Sequence, residues 1–185
     1  MKAKKLLVGF VSLFALTGCG EVEPEKFQEE LSKVEEHSYS SATVKYSYDV
    51  DMLVYQDKGS GEIEFKFENG KWTTSSDDKN ASDYVGYLAP EKNVNDAKNS
   101  MELPEGYANK VDFKYYTNPF KIKVTYKDSI EEDGAKGNVK VDAVCEYNKY
   151  AYPTLFTLDF DSEVKSGSST IKMYMKEDIR ISYKD

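Results

Sequence analysis

Apolar and polar residues alternate along most of this chain, and this alternation limits the fold more than any other feature. Over residues 42–54 every second residue is apolar or aromatic, and the residues between them are polar up to Asp51. Successive side chains of a strand point to opposite faces of its sheet, so the pattern predicts a long strand with one buried face. The same alternation returns at 63–67, 111–115, 122–126, 139–147, 156–160 and 171–183.

One hairpin turn near the end of the chain predicts the alignment of its two strands. The Gly-Ser pair at 167–168 suits a type II′ turn. The resulting alignment places Glu163 opposite Lys172 and Asp159 opposite Lys176, and it puts the apolar residues of both strands on the other face. Opposite charges in facing positions stabilise an antiparallel pair, so turn and charges favour the same register.

Three further connections follow from turn residues. The Asn-Gly pair at 69–70 is typical of a type I′ hairpin turn and places Phe67 opposite Trp72. Residues 57–61, which contain two glycines, and the acidic residues 128–138 are predicted to be loops. A turn at 118–119 sets Val111, Phe113 and Tyr115 against Tyr126, Val124 and Ile122.

Near the N-terminus a helical spacing replaces the alternation. Pro24 suits the first position of a helix, and Phe27, Leu31 and Val34 form one apolar stripe. This helix is expected to end near Glu36, where the helical period changes.

A second helical spacing occurs in the middle of the chain. Tyr84, Tyr87 and Leu88 predict a short helix with Ser82 or Asp83 as its cap. We interpret this helix as a candidate lid. A polar stretch at 91–100 follows it, and a connection of this length is usually functional or contains structure of its own.

The fold class predicted from these elements is α+β. An N-terminal helix and a short mid-chain helix pack on a curved, mostly antiparallel sheet of about seven to eight long strands, a half-barrel. The chain is rich in aromatic residues, with 15 tyrosines and nine phenylalanines, mostly at inward strand positions. Packing in a hydrophobic core explains these aromatic residues. The alternative is that some of them line an apolar cavity. The residues predicted to face an apolar ligand are Tyr46, Tyr48, Phe65, Phe113 and Tyr126.

The first residues have the features of an export signal. A lysine-rich start at 2–5 precedes an apolar stretch at 6–16, which is shorter than the 20 or so residues that span a bilayer. The stretch ends in Leu16-Thr17-Gly18-Cys19, which resembles the lipobox of bacterial lipoproteins. A plain signal peptide with a chance cysteine is the alternative.

The lipobox resemblance implies a membrane-anchored protein. Residues 1–18 are then a signal peptide that is removed, and Cys19 carries a diacylglyceryl lipid. Residues 19–23 form a short tether, and 24–185 form a single domain on the extracytoplasmic face of the cell membrane. Two acyl chains suffice for stable anchoring.

Composition and missing motifs exclude several functions. The chain has 33 acidic and 25 basic residues, a net charge of −8, which argues against nucleic acid as a partner. His37 is the only histidine, and no phosphate-binding loop or nucleophile elbow is present. We therefore expect no enzyme, no catalytic residue and no cofactor. We also expect no metal site, because lysines face the acidic row Asp159, Asp161 and Glu163, although that row could hold a cation.

The second cysteine has no disulfide partner if Cys19 is acylated. Cys145 continues the apolar alternation of 139–147, and free cysteines are among the most buried residues. We therefore predict that its thiol is buried and unreactive in the folded protein.

The order of elements and the lipobox together resemble the LolA-like and LppX/LprG-like lipoprotein carriers, and the chain is also similar to small lipoproteins of Gram-positive bacteria. The carrier resemblance implies a half-barrel that cradles acyl chains, but it assigns no functional residue. The function we expect is a non-enzymatic binding module for a lipid or another apolar ligand. The alternative is an envelope interaction or scaffold protein with a sealed core and a protein partner.

Overall fold

The computed structural model describes residues 20–92, 110–132 and 134–185. The predicted lipobox and most of the polar stretch at 91–100 lie outside these residues. The described part contains nine strands, β1 to β9, and two short helices, α1 and α2.

The elements have the following bounds. In the first half of the chain they are β1 (Glu21–Val22), α1 (Pro24–Leu31), β2 (Ser41–Met52), β3 (Tyr55–Glu68), β4 (Lys71–Thr73) and α2 (Ala81–Tyr84), which a 3₁₀ turn (Val85–Leu88) continues. In the second half they are β5 (Val111–Thr117), β6 (Phe120–Glu132), β7 (Ala135–Tyr147), β8 (Pro153–Ser166) and β9 (Ser169–Lys184).

All nine strands form one antiparallel sheet in the order β1-β5-β6-β7-β8-β9-β2-β3-β4. The meander β5–β9 and the meander β2–β4 are joined where β9 pairs with β2. The sheet is open, because its outer strands β1 and β4 do not pair with each other. The predicted mostly antiparallel sheet is confirmed. The described strands number nine instead of seven to eight, and two of them contain only two and three residues.

The predicted hairpin alignments are confirmed. Across residues 167–168, Glu163 faces Lys172 and Asp159 faces Lys176, with ion-pair distances of 3.3 and 3.8 Å. Phe67 faces Trp72 across residues 69–70. On either side of the turn at 118–119, Val111, Phe113 and Tyr115 face Tyr126, Val124 and Ile122.

The loop predicted at 57–61 is wrong. These residues belong to β3, and the chain reverses earlier, at Leu53 and Val54. Gly59 and Gly61 lie opposite Tyr48 and Tyr46, whose rings occupy the space where β-carbons of residues 59 and 61 would lie. Glycine at these positions therefore accommodates rings from the next strand and does not mark a turn.

The acidic loop predicted at 128–138 is also wrong. β6 continues to Glu132, β7 begins at Ala135, and Gly134 in the turn between them has a φ of +78°. Strand pairing continues past the last apolar residues because backbone hydrogen bonds and cross-strand ion pairs hold polar strands together as well. Lys136 and Glu131, for example, face each other across the two strands, and the Lys136 ammonium nitrogen lies 2.8 Å from a carboxylate oxygen of Glu131.

Both helices differ in detail from the prediction. α1 ends at Leu31 and not near Glu36, because the N–H groups of Lys33 and Val34 bond to carbonyls three residues back, which tightens the chain into a turn. Ser82 and Asp83 lie within α2 and do not cap it; Asn80 is the residue before the helix. The Asp78 carboxylate accepts the N–H of Asn80 at 2.8 Å, which turns the chain into α2 one step earlier.

Candidate functional site

The hydrophobic core is divided into two clusters, one under each helix. Under α1, Phe27 and Leu31 pack with residues of β5, β6 and β7, among them Tyr115 and Val124. Under α2 and the 3₁₀ turn, Tyr84 and Leu88 pack with residues of β2, β3 and β9. Among the described residues no helix covers the part of the sheet between these two clusters, and an apolar cavity lies there.

This cavity has a volume of about 630 Å³, within the range of small-molecule sites. Its floor is formed by inward-facing residues of β5 to β9, and the residues after α2 form its upper wall. The residues that line it are Gly86, Tyr87, Ala89, Pro90, Glu91, Val111, Ile122, Val124, Tyr126, Val141, Ala143, Cys145, Tyr147, Pro153, Phe156, Leu158 and Glu177.

The alternation of the strands explains why the floor is apolar. Val124 faces Ala143, Ala143 faces Leu158, and Leu158 faces Glu177, so four neighbouring strands contribute one continuous row of side chains. Ala143 is the smallest residue of this row. Its short side chain leaves room above the sheet that a larger residue would fill.

The cavity contains two charged residues among those described, and both are acidic. Glu91 lies on the upper wall and Glu177 in the floor. Burial raises the pKa of the Glu177 carboxyl above its ordinary value, because an apolar environment disfavours the charged form. No described lysine, arginine or histidine lines the cavity.

Cys145 and Tyr147 add a weakly polar edge. Burial raises the pKa of the Cys145 thiol to about 11, against the opposing effect of a hydrogen bond with Tyr147. Burial also raises the pKa of the Tyr147 hydroxyl. Cys145 is partly exposed to the cavity and not fully enclosed. A neighbouring base, a lowered pKa or a metal activates a thiol as a nucleophile, and His37 does not line the cavity, since its ring stacks on Tyr150 at 4.1 Å and bonds to Asp185.

The predicted ligand-facing residues do not all meet at this cavity. Tyr126 lines it. Tyr46 and Phe65 are buried in the cluster under α2, and Tyr48 packs against that cluster. Phe113 packs against the cluster under α1.

The predicted lid residues are likewise divided between the core and the cavity. Tyr84 and Leu88 are buried in the cluster under α2, and Tyr87 lines the cavity. Tyr84 of α2 and Leu88 of the 3₁₀ turn therefore anchor this helical segment in the cluster, and Tyr87 packs against the same cluster and borders the cavity. Leu16, Thr17, Gly18 and Cys19 lie outside the described residues.

Sequence reasoning missed Glu177, although a signal for it was present. Met175, Ile179 and Ile181 have inward parity on β9, and Glu177 interrupts that series with a charge. The other missed residues, such as Val124, Ala143 and Leu158, are inward residues that the pattern could not distinguish from sealed core. Which inward residues border a cavity depends on where the helices pack.

The described residues lack two features that would point to other functions. They contain no group of three or more His, Cys, Asp or Glu side chains placed to hold a metal ion. In the described ranges no helix is both long enough and apolar enough to cross a bilayer. Glu163 in the acidic row pairs with Lys172 at 3.3 Å and Lys165 at 3.0 Å.

Comparisons of this chain with protein-family models, with curated proteins and with solved structures found no match. The class of the protein therefore follows from its own geometry: a single open antiparallel sheet with a helix over each end and an apolar, acid-bearing cavity between them.

Proposed function

We propose that this chain is a membrane-anchored extracytoplasmic lipoprotein whose domain binds a lipid or another apolar ligand without catalysing a reaction. The observation that carries the proposal is the cavity of about 630 Å³ between the two core clusters. Its lining is mainly apolar and aromatic with a few polar groups, the composition typical of small-molecule sites.

The half-barrel form of the sheet is part of the proposal. An open sheet, helices packed at both ends and a cavity over its middle support a cradle into which a chain-like ligand can enter from the side. Because the lipoprotein carriers cradle acyl chains in a half-barrel, this arrangement also supports the proposed likeness to them.

The lipid anchor is supported by the residues Leu16-Thr17-Gly18-Cys19. If Cys19 is acylated, only Gly20 separates it from β1, which begins at Glu21. Two extended residues reach about 7 Å, so the domain would lie directly on the membrane surface. A short tether suits a protein that takes its ligand from the bilayer.

Native mass spectrometry of the mature chain tests ligand binding. The measurement uses residues 19–185 carrying Cys19→Ser. This variant cannot be acylated, so it can be purified without detergent. We expect a co-purifying apolar molecule, which Ala143→Leu reduces because the larger side chain fills the cavity floor. Ser47→Leu adds similar apolar bulk at an exposed position of β2 and should retain the molecule. Ligand-free protein that also fails to bind added acyl chains would contradict the proposal.

A second candidate function, an envelope interaction or scaffold protein, is favoured by the tip of the β2–β3 hairpin. Leu53, Val54 and Tyr55 are 67%, 100% and 55% exposed there, and contiguous exposed apolar residues often mark interaction sites. A photo-crosslinking amino acid at position 54 tests this function in cells. A specific protein adduct supports it, and no adduct together with ligand binding in the cavity argues against it.

A further inference from the structure

Glu177 is an unusual residue for its position on the sheet. Its neighbours of the same parity on β9 are Met175 and Ile179, and its partners on the adjacent strands are Leu158 and Tyr48. The carboxylate is therefore surrounded within the sheet by apolar and aromatic side chains, and it lies in the lining of the cavity.

The folded domain gains nothing evident from this carboxylate. Among the described residues, the side-chain carboxylate of Glu177 makes no hydrogen bond and no ion pair, whereas the carboxylates of acidic residues on the outer face such as Glu163 pair with lysines. A partly buried, uncompensated charge destabilises a fold. Groups that destabilise the fold are characteristic of functional sites.

The other charged residue among the described lining residues has the same sign. Glu91, on the upper wall, is also acidic, and no described basic side chain lines the cavity. A ligand with a carboxylate or phosphate head would bring a further negative charge close to Glu177 in a poorly solvated space. A ligand with a positive head would supply the partner that Glu177 lacks.

We infer that the cavity accepts an amphiphile with an apolar body and an ammonium group, that the ammonium pairs with Glu177, and that fatty acids and other anionic amphiphiles are disfavoured. This inference rests on the proposed function, because it names the class of ligand for the same cavity. The apolar row Val124, Ala143 and Leu158 contacts the body of the ligand, and Glu177, at the end of that row, contacts its head.

Calorimetric titration with three probes of equal chain length tests the inference. Dodecylamine, dodecanol and dodecanoate are titrated, below the concentrations at which they form micelles, into residues 19–185 carrying Cys19→Ser. A hydrogen bond to a charged group contributes enough for about tenfold or more in affinity. We therefore expect dodecylamine to bind at least about tenfold more tightly than dodecanol, and dodecanoate to bind most weakly.

Two charge-matched variants locate the effect. Glu177→Gln keeps the size of the side chain, and we expect the ratio of dodecanol to dodecylamine dissociation constants to fall towards one. Glu64→Gln removes the same charge from an exposed position of β3 and should keep the wild-type ratio. If Glu177→Gln does not fold, the salt dependence of the wild type replaces it: dodecylamine affinity should fall with ionic strength more than dodecanol affinity.

The outcomes separate the inference from the proposed function. Equal affinities, a preference for dodecanoate, or an unchanged ratio in Glu177→Gln overturns the inference and leaves apolar ligand binding intact. Failure of all three probes to bind contradicts the proposed function itself. A lysophospholipid with an ethanolamine head distinguishes two sources of the ammonium: affinity equal to dodecylamine indicates a lipid head group, and weaker affinity indicates a free amine.

Discussion

Tyr46 lies over Gly61 of the neighbouring strand, so that a β-carbon at residue 61 would come within 2.7 Å of the tyrosine ring. The ring is fixed from two other sides. It stacks on Tyr84 of α2 with a centroid distance of 4.8 Å, and its hydroxyl donates a hydrogen bond to Asp78. Tyr48 lies over Gly59 at the same distance, but it packs at the edge of this cluster and is less buried.

This difference gives a prediction for two matched alanine variants. Gly61→Ala should lower the free energy of unfolding by about 1–3 kcal/mol, the usual cost of added bulk in a packed core. Gly59→Ala should cost less, because the Tyr48 ring is less buried than that of Tyr46, although its hydroxyl also donates a hydrogen bond, to Asp57. Urea denaturation of both variants measures the difference. Equal costs would show that Tyr46 is no more constrained than Tyr48.

Membrane attachment depends on Cys19 if the lipobox prediction is right. Cys19→Ala should leave the chain unprocessed or release it from the membrane fraction, because acylation needs the thiol. Metabolic labelling with a radioactive fatty acid, followed by fractionation, provides the measurement. Cys145→Ala is the control and should keep its label. Label that persists on Cys19→Ala contradicts the lipoprotein proposal.

The thiol of Cys145 should react slowly and with a steep pH dependence. Its pKa is raised to about 11, and the thiolate is the reactive form. The alkylation rate should therefore rise about tenfold for each pH unit between pH 7 and pH 10. Mass spectrometry after iodoacetamide treatment follows the reaction in the Cys19→Ser chain. Denaturant should accelerate labelling and a bound ligand should slow it, because Cys145 lines the cavity. Rapid labelling at pH 7 would contradict the burial of the thiol.

The charge of Glu177 should make the fold less stable as the pH rises. Its pKa is raised in the folded state above the ordinary value of 4.5, so the folded protein holds the proton more tightly than the unfolded chain does. Stability is then lost between the ordinary and the raised pKa as the pH increases. Glu177→Gln removes this loss, so its advantage over the wild type should grow from pH 4 to pH 7 in thermal denaturation. An advantage that does not change with pH would contradict the assigned burial.

Truncation of Tyr84 and truncation of Tyr87 should have different effects on stability and on ligand binding. Tyr84→Ala removes a ring from the core and should cost about 3–5 kcal/mol, as large truncations in cores do. Tyr87→Ala should cost clearly less, because that ring borders the cavity, but it should weaken ligand binding. Chemical denaturation and probe titration on both variants test this. Equal loss of stability with unchanged binding would favour the sealed-core alternative.

Local information in the sequence was sufficient for individual hairpins. The alignment of β8 with β9 was correct to the residue because two-residue turns allow few geometries, and because Glu163 and Lys172 favour one register. The pairing of Phe67 with Trp72 follows in the same way from the turn at 69–70. In each case the information lies within a short stretch of chain.

The same reasoning failed where distant residues determine the local structure. Gly59 and Gly61 have the composition of a turn, and only the rings of Tyr48 and Tyr46 on the next strand explain why they are strand residues. The pairing of β9 with β2, which joins the two meanders, connects residues more than 120 positions apart. No turn specifies such a pairing, and it depends on which open edges and apolar faces remain after the hairpins form.

The sequence by itself therefore determined that an acidic chain forms a largely antiparallel sheet with one apolar face, because the alternation of side chains follows directly from strand geometry. Only the tertiary structure decided where that face is enclosed and where, among the described residues, it borders a cavity. Tyr126, Tyr46 and Phe65 have the same inward parity, yet Tyr126 borders a cavity and the other two are enclosed. The physical reason is that α1 and α2 cover the two ends of the sheet. The positions of these helices depend on packing between residues far apart in the chain, and the alternation within one strand carries no information about such contacts.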